Sequence, residues 1–286
     1  MTAVYRGMDR ETVESEYQPS FRVPSLGEVI DGYRRRGEAA RAALEHRRIA
    51  YGDHPDEWSW YVPGPRPGAP LFVFVHGGYW RRLSADDGCL LAPAARALGY
   101  AFASVNYTLC PAAPLATLVD QTRRALTALV ADDHADGSVG GHDTRRVHVA
   151  GHSAGAHLAA LAALAGVPFA GLILVSGVFD ITPIVHTTIN DDVRLDDTEA
   201  RRLSPLFAVE GPLPVDQVVT WSTGDTDEFA RQAHDWAGRW AAVPGNRRPV
   251  VVEVPGRHHF DVIDDLLDPA TELGRAVIAQ IGPAPA

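Results

Sequence analysis

Six short apolar runs punctuate the chain, at Leu71 to Val75, Ala101 to Val105, Val147 to Ala150, Leu172 to Val175, Val218 to Trp221 and Val250 to Val254. They are continuous instead of alternating, which is the pattern of parallel strands buried on both faces by helices. Segments with helical spacing lie between them, near Asp86 to Leu98, Leu115 to Ala131, Ala156 to Leu164, Phe229 to Ala242 and Pro269 to Ile281. Strand and helix in alternation predict an α/β layered domain with a mostly parallel central sheet flanked by helices. One connection is out of scale: Gly177 to Pro214 places about forty residues between consecutive strands. A connection of that length predicts a cap or lid over a site.

Ahead of the first run, residues 1–62 read as an N-terminal extension with the first strands. A charged helix over Leu26 to Arg47, with Leu26, Val29, Ile30 and Tyr33 at helical spacing, precedes two antiparallel strands around Arg48 to Tyr51 and Trp58 to Val62. The proline- and glycine-rich stretch Pro63 to Gly68 then turns the chain into the sheet. No long polar linker interrupts the 286 residues, so a single domain over 1–286 is expected, and the hydrophobic fraction of 46% supplies ample core.

Charge and cysteine content narrow the function classes. A net charge of −10 argues against nucleic-acid and anionic-membrane partners. The two cysteines, Cys89 and Cys110, sit in no CxxC or His-rich cluster, so neither a disulfide framework nor a structural metal site is expected, and no cofactor is implied. The first residues carry no apolar signal segment, and no apolar run has the length and composition of a membrane span; the expected compartment is the cytoplasm.

The chemistry is carried by Gly151-His152-Ser153-Ala154-Gly155, which follows a strand and opens a helix. That context defines a nucleophile elbow, in which flanking glycines let the serine take a strained backbone without crowding the neighbouring strand and helix. A serine hydroxyl is a poor nucleophile near neutral pH and needs a histidine base held by an acid, here in the chain order Ser, Asp, His. Asp225 follows the run Val218 to Trp221, and His259 follows Val250 to Val254; Asp227 and His258 are the neighbouring alternatives in the same loops. Loops after parallel strands open on the carboxyl edge of the sheet, beside Ser153. Directly after Leu71 to Val75, His76-Gly77-Gly78-Tyr79-Trp80 is suited to an oxyanion hole, with Gly77, Gly78 and Tyr79 offering backbone donors and Ala154 adding the amide after the nucleophile. His148, His152 and His157 read as strand, packing or hydrogen-bonding residues.

Together these stretches resemble the arylformamidases, or kynurenine formamidases, of the α/β-hydrolase superfamily. The resemblance rests on His76 to Trp80, on Leu118-Val-Asp-Gln-Thr122, on the elbow Gly151 to Leu158, on the cap stretch Gly177 to Val185 with Leu203-Ser-Pro205, and on the loops at Asp225 to Phe229 and His259-Phe260. It covers residues 70 to 268 and, more weakly, Tyr5 to Asp9. It departs from the family pattern at Arg257-His258, where an acidic residue often precedes the histidine, and at Gln18-Pro19, where an Asn is more usual.

What the resemblance implies is an α/β-hydrolase fold with Ser153 as nucleophile, Asp225 as acid and His259 as base, and an oxyanion hole at the amides of Gly78 and Tyr79. The implied reaction is hydrolysis of the formamide of N-formyl-L-kynurenine, or of a modified aryl formamide, through a formyl-enzyme. Tyr79, Trp80, Tyr107 and Phe179 are the expected aromatic walls for the substrate ring. A carboxylesterase acting on small-acyl aryl esters is the alternative from the same machinery, and a non-catalytic ligand-binding protein of the same fold is the alternative from another class.

Overall fold

The computed structural model describes residues 2–132 and 141–284. The helices are α1 (Arg10–Glu16), α2 (Leu26–Ala43), α3 (Ala85–Gly88), α4 (Ala92–Ala97), α5 (Leu115–Ala131), α6 (Ala154–Leu164), α7 (Asn190–Val193), α8 (Asp197–Arg202), α9 (Asp227–Ala241) and α10 (Glu272–Ile281). The strands are β1 (Arg47–Ala50), β2 (Trp58–Val62), β3 (Leu71–Val75), β4 (Ala101–Val105), β5 (Val147–His152), β6 (Gly171–Val175), β7 (Asp216–Ser222) and β8 (Val250–Val254). They form one sheet in the order β1-β2-β4-β3-β5-β6-β7-β8. The β1–β2 and β2–β4 pairs are antiparallel, and every pair from β4 onward is parallel.

The apolar runs explain the layering. Along β3 the side chains of Leu71, Val73 and Val75 pack on one face of the sheet with α5 and α6, while Phe72 and Phe74 pack on the other with residues of α4 and α10. Every residue of β3, β4, β5 and β6 is buried, so each of their Val, Leu, Ile and Phe side chains contributes about 1.5–3 kcal/mol of burial. α6 is buried nearly all round, which is why its sequence is alanine-rich: small side chains let it lie close against the strands.

Two readings of the sequence are corrected by the fold, and one helix is added. Val250 to Val254 is an apolar run but an edge strand, open to solvent: Val250 and Val251 are 53% and 43% exposed, and only Val252 and Val254 are buried. The helix expected over Asp86 to Leu98 is two short helices joined by a tighter turn at Cys89–Leu91, with Pro93 in the first turn of α4. A helix that hydrophobic spacing did not reveal, α1, is set by Asp9, whose carboxylate caps the Thr12 amide at 2.9 Å. It carries only one buried residue, Val13, so its apolar signal is faint.

Between β6 and β7, residues 177–214 hold a turn at Thr182–His186, α7, α8 and a turn at Pro205–Phe207. Ile181, Ile184, Ile189, Val193, Leu195, Ala200, Leu203 and Val209 from this stretch are buried in the same core as α5 and α6.

Candidate active site

Five chemically active loops leave the carboxyl ends of five strands. His76 follows β3, Ser153 follows β5, Ser176 follows β6, Asp225 lies three residues after β7 and His259 five residues after β8. A parallel sheet puts all these ends on one edge, so the fold gathers residues distant in sequence.

The elbow is built by close backbone approach. Ser153 has φ +55°, a left-handed conformation that a residue with a side chain adopts only under constraint. The constraint is visible: the Ser153 amide donates to the Val175 carbonyl at 2.8 Å. A Cβ on Gly151 would lie 2.4 Å from the Gly155 carbonyl oxygen, and one on Gly155 would lie 2.0 Å from that of Val75. Only glycine fits at either position.

His259 and Asp225 form a buried pair, with Nδ1 of the histidine 2.5 Å from Oδ1 of the acid. The other carboxylate oxygen of Asp225 accepts from Ser176 Oγ at 2.6 Å and from the amide and hydroxyl of Ser222, both at 3.0 Å. Burial works to raise the Asp225 pKa, but the His259 charge and this set of donors outweigh it and hold the carboxyl at about 2. Asp225 therefore stays ionised and keeps Nδ1 of His259 as the protonated nitrogen, leaving Nε2 as the acceptor.

The alternatives in the same loops are placed elsewhere. Asp227 is the exposed first residue of α9, and the His258 ring accepts from the amides of Phe260 and Asp261. The His259 ring is held edge-on by Phe229 and Phe260, at 4.6 and 5.1 Å between centroids.

His152, beside the serine, is bonded to the backbone of His259. Its Nε2 donates to the carbonyl of His259 at 2.8 Å. Burial first, then the neighbouring His259, pushes the His152 pKa down to about 3, so this ring is a neutral strut. His157 likewise donates from Nε2 to the Leu203 carbonyl at 2.7 Å, tying α6 to the 177–214 connection.

At the end of β3 the chain turns sharply, with φ +102° at Gly78, +49° at Tyr79 and +58° at Trp80. The amide N–H groups of Gly77, Gly78, Tyr79 and Ala154 have no acceptor among the described residues. Each is free to donate to a group bound beside Ser153. Gly77 contributes by its lack of a side chain, since a Cβ there would sit 2.8 Å from the His152 carbonyl and 3.0 Å from Cβ of Ser153.

Ser153 and His259 line one cavity of about 480 Å³, within the range of small-ligand sites. No hydrogen bond joins Ser153 Oγ to His259 among the described residues; such contacts commonly tighten only when substrate is bound. Its remaining walls are Gln18, Pro19, Ser20, Leu26, Ile30 and Arg34 from the N-terminal segment, Gly78 to Asp87 in part, His152 and Phe260. None of residues 177–214 lines it.

Of the four aromatic residues expected around a substrate ring, Tyr79 alone lines the cavity. Its hydroxyl donates to the Tyr17 carbonyl at 2.5 Å, tying the N-terminal segment to the loop after β3. Trp80, Tyr107 and Phe179 do not line the cavity, because each has a packing partner inside the fold. Trp80 meets His157 edge-on, Tyr107 stacks on His76 at 4.2 Å and Phe179 stacks on Trp236 at 4.8 Å. The aromatic wall that spacing did not single out is Phe260.

The chain has an α/β-hydrolase fold, and a family model described as alpha/beta hydrolase fold matches residues 72–210. A Silicibacter protein described as a candidate thioesterase superposes with a TM-score of 0.81 at 24% identity, over 93% of this chain and 98% of its own. The chain is a hydrolase enzyme. It is similar to the kynurenine formamidases of Danio rerio and Salmo salar, each at 27% identity over 97% of this chain and 98% of the relative. No helix among the described residues is long and apolar enough to cross a membrane.

Proposed function

We propose that the chain hydrolyses the formamide of N-formyl-L-kynurenine, or of a closely modified aryl formamide, to formate and the free arylamine through a formyl-enzyme on Ser153. The observation that carries the choice of a formamide is the end-to-end likeness to kynurenine formamidases, which spans nearly the whole of both chains. The site geometry supports the mechanism.

In the first half-reaction Ser153 Oγ attacks the formyl carbon while His259 Nε2 takes the hydroxyl proton; Asp225 holds the imidazolium. The oxyanion is received by the amides of Gly78, Tyr79 and Ala154, each contributing about 3 kcal/mol of transition-state stabilisation. His259 then gives its proton to the departing aryl nitrogen and the C–N bond breaks. In the second half-reaction His259 takes a proton from water, whose oxygen attacks the formyl ester, and returns it to Ser153 as formate leaves. The acyl group is a single carbon, so selectivity falls to the aromatic leaving group, for which Tyr79 and Phe260 supply ring surface.

The deciding experiment compares kcat/KM on N-formyl-L-kynurenine with that on short-chain aryl esters. Turnover of the formamide at least matching the esters supports the reading; esters turned over far faster would replace it with that of a carboxylesterase.

A further inference from the structure

The cavity at Ser153 is basic in a chain whose net charge is −10. Three arginines line it, Arg34, Arg81 and Arg82, against one carboxylate, Asp87. That carboxylate is already engaged: it accepts from the Ser84 amide at 2.9 Å and from the Ser84 hydroxyl at 3.2 Å, closing the cap of α3.

The three arginines differ in what they hold. Arg81 is committed to Asp192 of the 177–214 connection at 2.7 Å and is mostly buried. Arg34 pairs with Asp31 one helical turn away, at 2.8 Å with both side chains more than half exposed, an arrangement too well solvated to fix it. Arg82 is exposed and makes no ion pair or hydrogen bond among the described residues. Its backbone packs directly against Gly78, since a Cβ on Gly78 would lie 2.2 Å from the Arg82 carbonyl oxygen. The one unpaired guanidinium of the cavity is thus mounted on the loop that carries the oxyanion donors, and Arg34 stands on α2, a separate wall of the same cavity.

We propose that this cavity selects substrates bearing a carboxylate remote from the scissile bond, and that Arg82, supported by Arg34, is the specificity-determining residue that receives it. The inference rests on Ser153 being the nucleophile of this cavity and adds the charge of the substrate to that reading. A guanidinium on a flexible stem at a cavity mouth is suited to a carboxylate, which it meets with two parallel N–H donors. Low-dielectric walls of one sign also concentrate an anionic substrate that the rest of the acidic surface repels. The cavity sets one carboxylate, Asp87, with one of its oxygens taken by Ser84, against three guanidiniums, so an α-amino group is expected to contribute less to selection than the carboxylate.

The test uses the full chain and two matched pairs: N-formyl-L-kynurenine with its α-carboxamide, and 4-acetoxybenzoate with 4-acetoxybenzamide. The carboxylate member is expected to be favoured in kcat/KM by about tenfold or more, mainly through KM, with a preference that shrinks as salt is raised. Arg82→Gln is expected to bring the ratio to within about threefold of unity, Arg82→Lys to restore part of it, and Arg34→Gln to lower it less. A wild-type ratio near one, or a ratio that Arg82→Gln leaves unchanged, overturns the proposal. Should the formamide pair be inert while the ester pair turns over, it is the formamide reading that fails, and the ester ratio still decides the carboxylate.

Discussion

His152 Nε2 donates to the backbone carbonyl of His259 at 2.8 Å, so the residue before the elbow serine holds the main chain of the proposed base. The loops carrying Ser153 and His259 are thereby one mechanical unit. Replacing His152 with Leu removes the only donor of that bond and leaves the His259 carbonyl buried. The expected result is a loss of about 1–3 kcal/mol of stability together with a fall in kcat. Chemical denaturation and steady-state kinetics on the same preparation check both; unchanged kcat would show that His152 is packing alone.

Asp225→Asn tests the other support of the base. The amide has no charge to hold an imidazolium, and it can present its NH2 group to Nδ1 and fix the wrong tautomer. A fall in kcat of about 10⁴-fold is expected, with substrate binding little altered. A loss of less than tenfold would place the acid elsewhere in the loop.

Glycine substitutions separate the hole from the fold. Gly78→Ala adds a methyl 2.2 Å from a backbone oxygen at a residue whose φ is +102°, so the loop must shift and carry the amides of Gly78 and Tyr79 with it. A loss of about 10²–10³-fold in kcat is expected. Gly155→Ala puts its methyl 2.0 Å from the Val75 carbonyl oxygen inside the sheet, where neither neighbour can move. That variant is expected to fold poorly, seen as a lowered Tm or loss of soluble protein.

Four buried histidines give the stability a predictable acid limb. Burial holds His76, His148 and His157 down at about 4 and His152 at about 3, against an ordinary value of 6.5. Between pH 6.5 and about 4 the unfolded chain therefore binds protons that the folded chain does not, and stability falls as pH falls. Each such group contributes a slope of at most about 1.4 kcal/mol per pH unit. Asp225, held at about 2, adds a further loss only below pH 4. Urea midpoints from pH 8 to pH 4 should be flat above 7 and drop steeply below 6; a flat profile down to pH 4 contradicts it.

The parts of the site that were legible in the sequence are those whose backbone demands a particular residue. Gly151 and Gly155 are forced by approaches of 2.4 and 2.0 Å, and Gly78 by a positive φ, so the chain has to spell out the elbow and the turn. Asp225 and His259 could be picked out as a candidate pair because a parallel sheet sends consecutive loops to one edge, and their side chains do meet. What was hidden depends on contacts between distant segments. Nothing in the spacing of Gln18 to Ser20 says that they wall a cavity with Ser153, since they reach it through contacts such as Tyr17 with Tyr79. Ser176 is invisible for the same reason: its role comes from the register of β6 against β7, which sets its hydroxyl 2.6 Å from Asp225. Trp80, Tyr107 and Phe179 were misleading because an aromatic residue near a motif serves the core as readily as a ligand, and only packing distinguishes the two. Val250 and Val251 read as interior strand because valine favours strands at an edge as well as at the centre.

Ser153→Ala is the most direct test of the account. Turnover of N-formyl-L-kynurenine is expected to fall by at least about 10⁴-fold while Tm stays within a few degrees of the wild type, and a fluorophosphonate probe is expected to label the wild-type peptide carrying Ser153 and leave the variant unlabelled. Formamide turnover that persists in the variant, or a wild-type chain that the probe leaves unmodified at Ser153, would contradict it.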